Sequence, residues 1–92
     1  MAIDIRLLEV SNTDVKASSP TMTSGVSSLL PASSLSNRVQ LTIYNNGTNN
    51  EILYIGGSDV TTSNGFPIQA NSGFGFSLSS SVNVWGVIEE IS

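Results

Sequence analysis

Three observations predict an all-β fold, a sandwich or small barrel. Short runs of alternating apolar and polar residues recur about every ten positions, the spacing of small antiparallel domains. No stretch keeps the 3.6-residue apolar period through the three turns that a helix needs. Gly, Asn, Ser and Pro gather between the runs, where they supply the backbone geometries of turns.

In chain order, residues 3–10 form the first predicted strand. Ile3, Ile5 and Leu7 alternate with Asp4, Arg6 and Leu8, the pattern of a strand with one buried face. The adjacent Leu7 and Leu8 interrupt that pattern and predict cover on both faces at the strand's end. Residues 11–19 turn polar around Val15, Lys16 and Ala17 and read as a connector. Residues 1–19 are thus expected to be an N-terminal strand or arm with its connector, and 20–92 the β-sandwich domain.

Thr and Val favour a strand over 21–28, with Gly25 marking a bulge or a close backbone approach. Pro31 removes a ladder donor and holds Leu30 extended, so 30–35 is predicted to be a loop. Val39, Leu41 and Ile43 then alternate with Gln40, Thr42 and Tyr44, which points Val39 into the core. Asn45, Asn46 and Gly47 provide the positive φ values of a tight reversal, so 52–55 is expected to return as the second arm of a hairpin over 38–56.

Gly56 and Gly57 open a polar loop to Gly65, and Pro67 confines 66–68 to a sheet edge. After the Asn71-Ser72-Gly73 turn, Phe74, Phe76 and Leu78 alternate with Gly75, Ser77 and Ser79 as a half-buried strand. Ser79-Ser80-Ser81 turns the chain again. In the last strand Val82, Val84, Trp85, Val87, Ile88 and Ile91 change parity near Trp85-Gly86, which predicts a bulge there.

A chain of 92 residues buries only about 60–65% of its unfolded surface, so support from a partner or from further copies is expected. It contains no Cys, so neither a disulfide nor a thiolate metal site reinforces it, which favours intracellular assembly. Net charge is −4, and the basic residues Arg6, Lys16 and Arg38 are scattered rather than clustered, against a nucleic-acid groove. No apolar run reaches the roughly 20 residues of a membrane span, and the N-terminus lacks the basic flank and apolar core of a signal peptide. Neither nucleic acid nor a membrane is an expected partner.

Motifs for chemistry are few. Without His or Cys the Ser-His-Asp and Cys-His arrangements and the common zinc sites cannot be built. Glu89 and Glu90, adjacent on a strand, point to opposite faces and read as solvated strand-end charges. Gly56-Gly57-Ser58 lacks the rest of a phosphate loop. Asp59 could join a hard-cation site, but an Asx-type turn is the simpler role. Asn46-Gly47-Thr48 matches a glycosylation sequon and reads as the turn. Tyr54, Phe66, Phe74, Phe76 and Trp85 could line a sugar-binding shelf, or serve as core and subunit interface. Expected catalytic, metal and cofactor residues are none.

The run Leu41-Thr42-Ile43-Tyr44-Asn45-Asn46-Gly47, then 54–61 (YIGGSDVT), then Asn64-Gly65-Phe66-Pro67-Ile68, resembles a small β-domain of tailed-bacteriophage structural proteins. The likeness covers about residues 20–92; Ser79-Ser80-Ser81 is shorter than the Gly/Ala-rich segment usual there, and 1–19 lie outside it. Such domains occur as capsid decoration or cement proteins, in head fibres and in tails or baseplates. The resemblance implies a jelly-roll-like β-sandwich, assembled in the host cytoplasm, that sits on the capsid surface of the virion and binds the major capsid protein. It also implies a homo-oligomer, a trimer being favoured because decoration proteins often occupy local three-folds. Ile3, Ile5, Leu7 and Leu8 on the N-terminal segment, with Tyr54, Asp59, Phe66 and Trp85, are the candidate protein contacts. The alternative is a receptor- or glycan-binding module of a head fibre, tail or baseplate, stacking sugars on Tyr54, Phe66 and Trp85.

Overall fold

The computed structural model describes residues 2–47 and 51–89, with the backbone alone for Ala2 and Glu89. The described residues form nine strands and no helix: β1 (Ala2–Ser11), β2 (Val15–Ser18), β3 (Thr21–Thr23), β4 (Ser28–Leu29), β5 (Arg38–Asn45), β6 (Ile52–Gly56), β7 (Phe66–Ile68), β8 (Ser72–Phe76) and β9 (Trp85–Glu89). They build two antiparallel sheets packed as a sandwich. One has the order β2-β1-β5-β8, with β3 continuing the β2 edge along β1; the other has the order β4-β9-β6-β7.

The pairing is nested. β6 pairs with β7, β5 with β8 and β4 with β9, and successive pairs lie in alternate sheets. This is a long hairpin rolled over itself, the wrapping of a jelly roll. The next pair out would set β3 beside a strand following β9, but β3 pairs with β1 instead. The N-terminal strand therefore takes an internal place in the roll.

β1 is no arm. Leu7–Val10 pairs with β2 and Ala2–Asp4 with β3 on one edge, while Ile5–Ser11 pairs with β5 on the other. Ile3, Ile5 and Leu7 project into the core beside Leu41 and Ile43 of β5. Burying side chains of this kind contributes about 1.5–3 kcal/mol each, which a free arm would forgo. Leu8 keeps the alternation and lies on the outer face, 40% exposed. The expected connector around Val15 is β2, broken from β3 at Ser19-Pro20, where Ile5 N–H donates to Pro20 O at 2.9 Å.

The expected hairpin over 38–56 does not form: β5 and β6 belong to different sheets. The Asn-Asn-Gly segment carries the chain across the sandwich, because buried Asn45 spends its side chain on the far sheet. Its Nδ2 donates to Glu51 O at 2.9 Å and to Ile68 O at 3.0 Å, and its Oδ1 accepts from Gly47 N–H at 2.9 Å. Thr48 of the sequon lies outside the described residues, as do Glu90 and Ile91.

The strand predicted over 21–28 is two short ones, β3 and β4, separated where Gly25 has φ 79°. Leu30 of the following loop is buried. No bulge occurs at Trp85-Gly86; the β6–β9 ladder is regular from Ile52↔Glu89 to Gly56↔Trp85. Val84, Gly86 and Ile88 face inward, and Trp85 and Val87 face outward. Val87 is apolar on an outer face because the 57–65 loop folds back there, burying Val60 against Gly56 and Gly65. The bulge lies in β5 instead. Val10 pairs with Gln40 and Ser11 with Arg38, so Val39 is the extra residue. It is 47% exposed, and Arg38 turns inward in its place, 2% exposed.

Candidate functional site

Reversing the face of Arg38 places a guanidinium inside the sandwich, where it needs partners. Nη1 donates to Glu9 Oε2 at 2.9 Å in an ion pair sealed from solvent on both sides. Nε donates to Leu78 O at 3.2 Å, and Nη2 donates to Ser79 O and Val82 O, each at 2.8 Å. Glu9 Oε2 also accepts from Leu35 N–H at 3.1 Å. One buried pair thus holds two loops, 30–37 and 78–82.

The second of those loops walls an apolar cleft of about 480 Å³ on the open side of the sandwich. Ile55, Phe66, Phe76, Leu78, Val82 and Val84 line it, with the Gly56-Gly57 turn and Asn83. It opens between β7 and β8, the last strands of their respective sheets. Phe66 packs edge-on against Phe74 at 5.3 Å and against Phe76 at 6.3 Å between ring centres. These are favourable T-shaped geometries, yet Phe66 and Phe74 remain 48% and 43% exposed. Residues 60–88, which include both edge strands and the far wall of the cleft, contain no Asp, Glu, Lys or Arg.

The predicted contact residues do not share one surface. Ile3, Ile5 and Leu7 are buried in the core and cannot touch a partner while this fold persists. Leu8 lies on the outer face of the five-stranded sheet. Tyr54 pairs with Val87 and Pro67 on the outer face of the other sheet, and Trp85 shares that face; both are half-buried. Phe66 lies on the inner side, so Tyr54, Phe66 and Trp85 do not assemble the sugar-stacking shelf of the alternative reading. Asp59 is exposed, and its loop is tied by other side chains: Asn64 Oδ1 accepts from Thr61 N–H at 2.7 Å, and Thr61 Oγ1 accepts from Ser63 and Asn64 N–H. Among the described residues no group of three or more His, Cys, Asp or Glu could hold a metal. No helix among them is long and apolar enough to cross a membrane.

Of the residues around the cleft, only Phe66 was in the predicted contact set. Phe74 and Phe76 stood out only among the aromatics that could form a shelf, core or interface, and Leu78 and Val82 read as ordinary strand residues. The signal that marks them is collective: the charge-free run from 60 to 88. Comparison of the chain with protein-family models, with curated proteins and with solved structures returned no match.

Proposed function

We propose that this chain is a non-enzymatic structural protein of the bacteriophage virion, a capsid decoration protein that cements subunits of the major capsid protein. The observation that carries the reading is the uncharged apolar cleft between β7 and β8, with Phe66, Phe74 and Val82 exposed around it. Soluble domains seldom leave contiguous apolar surface open unless something binds there. A cleft without charges or convergent polar groups suits adhesion to another protein surface better than recognition of a sugar or turnover of a substrate. The sequence resemblance to phage structural domains supplies the setting: the outside of the capsid, reached by assembly in the host cytoplasm. Several copies on the shell, three-fold positions included, would multiply individually weak contacts.

The test is to mix the purified protein with expanded capsids that lack it and to locate the added density by electron microscopy. Regular density on the outer surface is the expected result. Val82→Lys, which sets a charge in the wall of the cleft, is expected to weaken binding at least about tenfold. Absence of density at saturating protein would overturn the proposal.

A further inference from the structure

Among the described residues the sandwich ends in four sheet edges, and three of them carry devices that discourage pairing with another strand. The β2 edge has Lys16, whose Nζ is tied to Ser33 O at 2.8 Å, and it breaks at Ser19-Pro20 before β3. β4 is two residues long. β7 is three residues long with Pro67 at its centre. β8 differs from all three. Its five residues, Ser-Gly-Phe-Gly-Phe, contain no proline and no charge, and among the described residues only β5 pairs with it in the sheet.

The side chains of β8 also match what an added strand would need. Phe74 and Phe76 pair with Ile43 and Leu41 and therefore face inward. Gly73 and Gly75 pair with Tyr44 and Thr42 and face outward. A strand laid along β8 must present apolar residues inward, over the exposed flanks of Phe74 and Phe66, and must keep its outward face low. The sequence of β8 has that pattern itself. An antiparallel copy of β8, related by a two-fold axis through the sheet, keeps inward faces inward and sets Phe74 against its counterpart. Charge points the same way: at net −4 two copies repel over most approaches, but residues 60–88 bring no charged side chain to this one.

We infer that β8 is a self-pairing edge, through which two copies of this chain join their five-stranded sheets into one continuous sheet. The inference rests on the reading of the β7–β8 side as an adhesive surface and names its first partner, a second copy. Such a contact is isologous and closes a dimer, so any three-fold association uses a different surface.

Sedimentation equilibrium of the wild-type protein between about 1 and 200 µM is expected to show a monomer–dimer transition with a dissociation constant on the order of 10 µM. Hydrogen exchange should slow in the β8 amides as the dimer fills. Phe74→Lys faces two lysines across the axis and should raise the dissociation constant at least about tenfold. Phe66→Lys, on the other sheet, should act in the same direction, so the test survives the loss of either variant to misfolding. Leu8→Lys, on the outer face of an internal strand, should leave the dimer unchanged. A wild-type protein monomeric throughout this range overturns the inference, as does a dimer indifferent to both phenylalanine substitutions. A wild-type monomer that still decorates capsids defeats the pairing alone; a β8-dependent dimer that ignores capsids upholds the pairing and defeats the virion reading.

Discussion

Arg38 Nη1 stands 2.9 Å from Glu9 Oε2 inside the sandwich, and the pair exists because Val39 is bulged out of β5. Without that extra residue the alternation of β5 would put Val39 in the core and Arg38 in water. The bulge, the ion pair and the position of the 78–82 loop are one structural unit. Removing one member of a buried pair leaves an uncompensated charge, at a cost of about 3–5 kcal/mol. Arg38→Met should therefore remove a large part of the stability of a domain this small. It should also free the wall of the cleft, seen as faster hydrogen exchange over 78–82. Glu9→Gln, which keeps an acceptor for Leu35 N–H, should cost less than Arg38→Met in urea unfolding. Equal costs would show that the three carbonyl bonds of Arg38 contribute little.

Asn45 makes three side-chain hydrogen bonds to backbone groups, and the one to Ile68 O joins the two sheets. Asn45→Ala leaves buried donors and acceptors unmet, at about 1–3 kcal/mol for each group that water cannot reach. Asn45→Asp should be worse at neutral pH, because it turns a carboxylate toward the carbonyls of Glu51 and Ile68. Its deficit should shrink on acidification, when the protonated acid regains one donor. A pH-independent deficit in thermal unfolding would contradict this account.

Gly86 admits the close approach of β9 to the core. A Cβ there would lie 2.6 Å from Leu30 Cδ1 and 3.1 Å from Leu53 Cδ1. Gly86→Ala should destabilise by about 1–3 kcal/mol despite the better intrinsic strand preference of Ala. Both neighbouring atoms are side-chain tips, so a second substitution, Leu30→Val, should recover part of the loss. Strict additivity of the two would argue against the contact.

Asp4 accepts from Arg6 Nε at 2.9 Å and from Asn46 Nδ2 at 3.3 Å. The bond from Arg6, chiefly, holds its carboxyl below the ordinary value of 3.8, with Asn46 adding to the effect against some desolvation. A depressed folded-state pKa stabilises above the unfolded value and loses that contribution as pH falls through the folded one. The advantage of wild type over Asp4→Asn should be present at neutral pH and vanish in acid below the carboxylate range. The pair is exposed, so the advantage should stay under about 1 kcal/mol and fade with added salt.

Much of the local structure was legible without coordinates. Period-2 alternation placed the strands containing Ile3, Leu41 and Phe74, and Pro67 marked β7 as an edge. These signals are local: a side chain's face follows from its neighbours two positions away, and a proline withholds its own donor whatever lies nearby. Two features escaped because they depend on distant partners. The Asn-Asn-Gly segment carries ordinary hairpin chemistry, and only the carbonyl of Ile68 within reach of Asn45 converts it into a crossing between sheets. The β5 bulge is a mismatch with β1, visible only when Gln40 and Arg38 are set against Val10 and Ser11.

By itself, the sequence determined that the chain forms short strands around an aliphatic core and that residues 60–88 bear no charge. The tertiary structure alone decided that β1 is internal, that Arg38 is buried, and that Phe66 and Phe74 meet across two sheet edges beside an open cleft. Alternation and composition are written residue by residue. Strand order arises from which distant surfaces bury best together, and no single segment encodes that choice.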